Sequence, residues 1–131
     1  MMTPVQILLV QTSFEMAGAD GTALAAGLGT RLSMRATAEQ VAQLAAVLVL
    51  AVRGLGRRRL LRPALRRLGA RHAFCRAMTQ DTAFPRALVD ALEEVLGAAL
   101  PAQVREAWGV CHRMLAALAR EGAGPAIARA V

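Results

Sequence analysis

The chain of 131 residues has no tyrosine and no lysine, and its aromatic side chains are one tryptophan and three phenylalanines. Without lysine there is no phosphate-binding P-loop of the usual kind, and no Gly-x-Gly-x-x-Gly follows a strand pattern, which excludes a standard dinucleotide site. Two cysteines, Cys75 and Cys111, are too few for a disulfide framework and fit a reducing compartment. The longest apolar run, Leu44 to Val52, has nine residues. A bilayer span needs about 20. Ile7 to Val10 is a short apolar run with no basic residue before it, unlike a secretory signal. The expectation is a cytoplasmic protein with no membrane span. Ser, His and Asp are too sparse for a nucleophilic triad. Glu93-Glu94 reads as a solvent-facing helical pair rather than a spaced carboxylate dyad.

The residues that are present favour packed helices. Hydrophobic residues, mainly Ala, Leu and Val, make up 56% of the chain against 19% charged, enough for one domain with a real apolar core. Glycine and proline punctuate it. Thr3-Pro4 opens a first helix that Gly18-Ala19-Asp20-Gly21 ends. A second runs from about Thr22 to Leu32, and a four-residue joint, Ser33 to Ala36, follows. Thr37-Ala38-Glu39-Gln40 reads as a capping box for a third helix reaching Gly54-Leu55-Gly56. Pro63 is expected to open a fourth, with Leu61, Leu65, Leu68 and His72 on one face. Phe84 to Val95 makes the next helix, closed by Gly97. Pro101 starts the last, whose stripe is Val104, Trp108, Cys111, Leu115 and Leu118. With no period-2 segment bearing hairpin turns, the fold class is all-α with about six helices. A domain spans residues 1–121, and 122–131 are expected to be a frayed tail.

His72 admits two readings. A lone imidazole on an apolar helical face is commonly a core residue bonded to a backbone carbonyl. It is also what haem iron requires, one neutral nitrogen held in an apolar slot. The run Leu61-Arg62-Pro63-Ala64-Leu65-Arg66-Arg67-Leu68-Gly69-Ala70-Arg71-His72 resembles the proximal helix of bacterial single-domain haemoglobins and of the globin domain in flavohaemoglobins. Leu92 to Gly97 is similar to the end of their next-to-last helix. Val104-Arg105-Glu106-Ala107-Trp108-Gly109 is similar to the start of their last helix, and Val10 to Glu15 to part of their first. The resemblance runs collinearly over residues 4 to 121. It implies a globin-like fold holding haem b, with His72 as the iron ligand and Leu68 and Arg71 beside it. It further implies that Gln40 and Leu44 line the distal side, where a diatomic gas would bind. Nitric oxide handling as an enzyme would require a separate reductase, since the chain has no flavin or nicotinamide domain. A homodimer is compatible with the reading.

Three positions depart from the family pattern. Gly29 stands where a second-helix tyrosine usually hydrogen-bonds the gas. The segment between the second and distal helices is about ten residues shorter than usual, and Ser33-Met34-Arg35-Ala36 lacks the phenylalanine that stacks on haem. His112 replaces a last-helix tyrosine, and its place near the proximal side suggests a bond to His72 or a half-exposed surface position. Cys75 reads as packing. These departures leave two alternatives open. One is a degenerate, haem-free globin fold acting as an interaction module; the other is a basic helical protein binding anionic polymers.

The second alternative rests on charge. Sixteen basic residues against nine acidic ones give a net charge of +7. Nine arginines, from Arg53 to Arg76, fall in 24 residues with no acid among them. Such a run can be a solvated face, a site for nucleic acid or anionic lipid, or a source of partners for haem propionates, with Arg71 the candidate. The absence of an aromatic platform, helix-turn-helix turn or zinc pattern argues against specific nucleic-acid recognition.

Overall fold

A computed structural model describes residues 2–32, 37–68 and 82–130, excepting the side chains of Arg66, Leu68 and 121–130. Among the described residues there are six α-helices and no strand: α1 Pro4–Met16, α2 Thr22–Arg31, α3 Ala38–Arg53, α4 Arg58–Leu68, α5 Phe84–Leu96 and α6 Ala102–Ala130. The expected joint at Ser33 to Ala36 lies outside them.

Local chemistry accounts for the boundaries. At α1, Thr3 Oγ1 accepts the Gln6 N–H at 3.1 Å while Gln6 Oε1 accepts the Thr3 N–H at 3.0 Å, with Pro4 in the first turn. The same reciprocal box starts α3, where Thr37 Oγ1 accepts from Gln40 N–H at 3.2 Å and Gln40 Oε1 from Thr37 N–H at 2.9 Å. Each box satisfies two backbone donors that a helix start leaves orphaned. Between α1 and α2 the backbone reverses through Gly18 and Gly21, at φ +114° and +72°. A Cβ on Gly21 would lie 3.1 Å from the Ala45 carbonyl and 3.3 Å from the Phe14 ring, so that turn is pressed against α3 as well as left-handed. Gly97, at φ +71°, ends α5 with its N–H on the Glu93 carbonyl.

Two expectations are corrected. Pro63 does not open α4: the helix begins at Arg58, with Leu61 N–H already on the Arg57 carbonyl at 3.1 Å, and Pro63 sits inside it. Its missing N–H therefore removes a bond in the second turn rather than one from the orphaned first turn. The region expected to fray is helical too, because α6 continues to Ala130. Alternating alanines from 123 to 130 supply the helical propensity that Gly122, Gly124 and Pro125 oppose.

The long α6 is the spine. Both α1 and α4 pack along it, α2 lies between α5 and α3, and α3 meets α1 and the start of α4. The stripe on α6 faces inward as spaced, with Trp108, Cys111, Leu115 and Leu118 buried and Val104 partly so. From α4, Leu61 and Leu65 enter the core; α2 contributes Leu24 and Leu28 and α5 contributes Leu88 and Leu92.

One polar contact lies inside this core. Trp108 Nε1–H donates to Ser13 Oγ at 2.8 Å. The Ser13 hydroxyl in turn donates back to the Leu9 carbonyl at 2.8 Å, with the Val10 carbonyl also in reach at 3.0 Å. Two residues earlier on α1, Gln11 Nε2 donates to the Val52 carbonyl at the end of α3, at 3.0 Å. Ser13→Ala strands the buried indole N–H, and we expect it to cost about 1–3 kcal/mol in chemical denaturation. Gly21→Ala should cost a similar amount, about 1–3 kcal/mol, because φ stays positive and the Ala45 carbonyl is backbone that cannot turn aside.

Candidate functional site

Of the residues expected to hold haem, the side chains of Gln40 and Leu44 are described. Gln40 is exposed on the first turn of α3, with its Oε1 engaged by the Thr37 N–H in the capping box. Leu44, one turn on, is 3% exposed and belongs to the core. Leu68 is the last residue of α4, and His72 and Arg71 lie outside the described residues, as does Cys75. Gly29 is buried in α2 and contributes no side chain there. Among the described residues the structure therefore places Gln40 and Leu44 on successive turns of one helix.

His112 lies half-buried on α6 and stacks on Phe84 at the start of α5, with ring centroids 5.2 Å apart and planes at 23°. That contact anchors one end of a groove of about 550 Å³ between α5 and α6. Its walls carry Arg86, Val89, Asp90 and Glu93 on one side and Arg105, Gly109 and His112 on the other. Gly109 leaves the floor open, since a Cβ there would meet only the Arg113 guanidinium, at 3.8 Å. Arg86 and Asp90 pair loosely across one turn at 3.8 Å, an exposed arrangement worth little in stability.

Glu93 and Glu94 of α5 have separate tasks, which corrects the reading of a merely solvent-facing pair. Glu93 is half-buried and its Oε2 accepts the Leu100 N–H at 2.9 Å, closing the turn into α6. Glu94 is exposed and pairs with Arg31 at the end of α2. Neither bond is visible as a local sequence pattern, because each partner is supplied by a different element.

Among the described residues no group of three or more His, Cys, Asp or Glu side chains is placed to hold a metal ion. Cys111 is also unsuited to ligate one. Burial pushes its thiol from the ordinary 9.0 up to about 12, so it stays protonated and is a weak nucleophile. The sign of the linked stability effect follows. The folded state holds the proton that the unfolded chain releases, so stability is full below the unfolded value near 9.0 and falls as pH rises toward about 12. In a Cys75→Ser background, we expect Cys111 to resist aromatic-disulfide reagents at pH 8 until the chain is unfolded. We also expect Cys111→Ala to flatten the alkaline fall in stability.

No protein-family model, no curated protein and no solved structure matches this chain.

Proposed function

We propose that the chain is a haem-binding globin of the bacterial single-domain type, with His72 holding the iron and a diatomic gas, dioxygen foremost, as its ligand. The observation that supports it best is the face carried by α4. Leu61 and Leu65 are buried at 1% and 0% exposure, and the spacing of four, three and four through Leu68 assigns His72 to that same face. On this reading α3 would be the distal helix and α4 the proximal one, with α5 and α6 following.

The donor set suits the cofactor. Haem b needs one neutral imidazole and an apolar surround, and the protonated thiol of Cys111 does not compete for the iron. His72 would hold the iron, Leu68 would wall the proximal side and Arg71 would pair with a propionate. When bound, haem supplies the iron centre at which a gas is taken up reversibly. On the other side Leu44, buried in the core, would exclude water. Gln40, whose oxygen is committed to the cap, retains its Nε2 donors for the gas. With Gly29 in place of a hydroxyl, that amide is the one hydrogen bond the reading assigns to the distal side. Nitric oxide dioxygenation by this chain would draw electrons from a separate reductase. The two-cysteine composition suits a cytoplasmic setting, and no helix among the described residues is long and apolar enough to cross a membrane.

A second reading, a haem-free interaction module, is favoured by a specific observation: Leu44 and Leu65 are packed shut and Gln40 faces solvent. The visible spectrum after haem addition separates the two. We expect a Soret band in the wild type that His72→Ala abolishes and His112→Ala retains. A wild-type protein with no band sinks the haem reading in favour of the module. Where the band is present, Gln40→Leu should speed gas dissociation about two- to tenfold, the loss of one hydrogen bond.

A further inference from the structure

The arginine run is not absorbed by the haem reading, and the structure gives it an apolar companion. Where the end of α3 meets the start of α4 there is a groove of about 430 Å³ with Val49, Leu50, Leu60 and Leu61 in its walls and Arg53 and Arg57 at its rim. Leu60 is 66% exposed and Leu50 is 40% exposed, although Leu44, Leu48, Leu61 and Leu65 of the same two helices are buried. Gly54 allows the approach, since a Cβ there would lie 3.1 Å from the Leu61 methyl group.

No carboxylate lines the groove, and the nearest one placed by a neighbouring cavity is Glu15, beside Arg53. No carboxylate occurs between Glu39 and Asp81, and Arg53, Arg57 and Arg59 are all exposed. Arg58 and Arg59 occupy the first turn of α4, which has no acidic residue. Cations there oppose the positive end of the helix dipole, a cost that a bound anion relieves. Two protruding leucines beside exposed arginines have the chemistry of a surface that meets phosphate headgroups and acyl chains together. A nucleic acid would engage the arginines and leave Leu50 and Leu60 without a role, and the groove offers no aromatic side chain on which a base could stack.

We propose that this face docks the protein on an anionic lipid bilayer. Leu50 and Leu60 enter the boundary between headgroups and acyl chains, and Arg53, Arg57 and Arg59 contact lipid phosphates. Lipid docking by this face does not depend on bound haem.

Sedimentation with large vesicles tests it on the full chain. Vesicles containing phosphatidylglycerol should retain the protein, and vesicles of phosphatidylcholine alone should not. The double variant Leu50→Ser/Leu60→Ser should bind the anionic vesicles about tenfold or more weakly, from the loss of two inserted side chains. Its affinity for double-stranded DNA at the same salt should be unchanged. Arg53→Gln/Arg57→Gln should weaken vesicle binding and reduce its salt dependence. Both variants change exposed side chains, so thermal melting followed by circular dichroism should match the wild type within a few degrees. The proposal is overturned if the leucine variant binds anionic vesicles as the wild type does, which would mark a nonspecific polyanion site. It is equally overturned if the wild type ignores those vesicles, or binds neutral ones as well.

Discussion

The bond between the Trp108 indole and Ser13 fixes how the first helix joins the rest. Apolar residues are distributed around α1 rather than gathered on one face: Val10 and Phe14 are buried, while Val5, Leu8 and Met16 are 66%, 63% and 73% exposed. Hydrophobic burial alone therefore gives α1 little preference for one rotation over another. Direction comes from polar groups. An indole N–H inside the core must find an acceptor, and Ser13, its own proton given back to the α1 carbonyls, presents a lone pair at 2.8 Å. Gln11, bonded to the end of α3, sets the same helix from a second side. Uniqueness here is specified by two hydrogen bonds laid over an unspecific apolar contact.

The other helices follow the opposite logic, and the difference decides what a reader of the sequence can recover. In α3 the inward stripe, the cap and the terminating glycine all agree, so helix, boundaries and buried face were legible, whereas in α6 the helix and its inward stripe were legible but its end was not. Pro63 misled because proline is common in a first turn, whereas tertiary contact through Leu61 and Leu65 drew the helix start back to Arg58. The structural tasks of Ser13, Glu93 and Arg31 were not legible at all. Their partners lie on other elements, and nothing in a serine or a surface glutamate announces a contact made by tertiary packing.

For the candidate site, legibility was limited in a different way. Gln40 was read as both cap and distal residue, and its two ends allow both: the oxygen holds the helix start, and the nitrogen keeps its donors. His72, Leu68 and Arg71 were reached through resemblance and helical spacing, while the groove on which Phe84 and His112 stack was missed because it is assembled from two helices. The arginine run was plain in the sequence. What the fold added was the exposed Leu50 and Leu60 beside it, which turn a charge pattern into a surface with both electrostatic and apolar character.

The Ser13–Trp108 bond also has a consequence in time. Its two halves are 95 residues apart, and a ribosome adding about 5–20 residues per second delivers the tryptophan roughly 5–20 s after the serine. Until then α1 lacks the bond that fixes its buried face, and before Val52 emerges it has neither of its two orienting partners. The nascent chain is thus at its most adhesive early, and the last long helix to leave the ribosome is the one that ends that exposure.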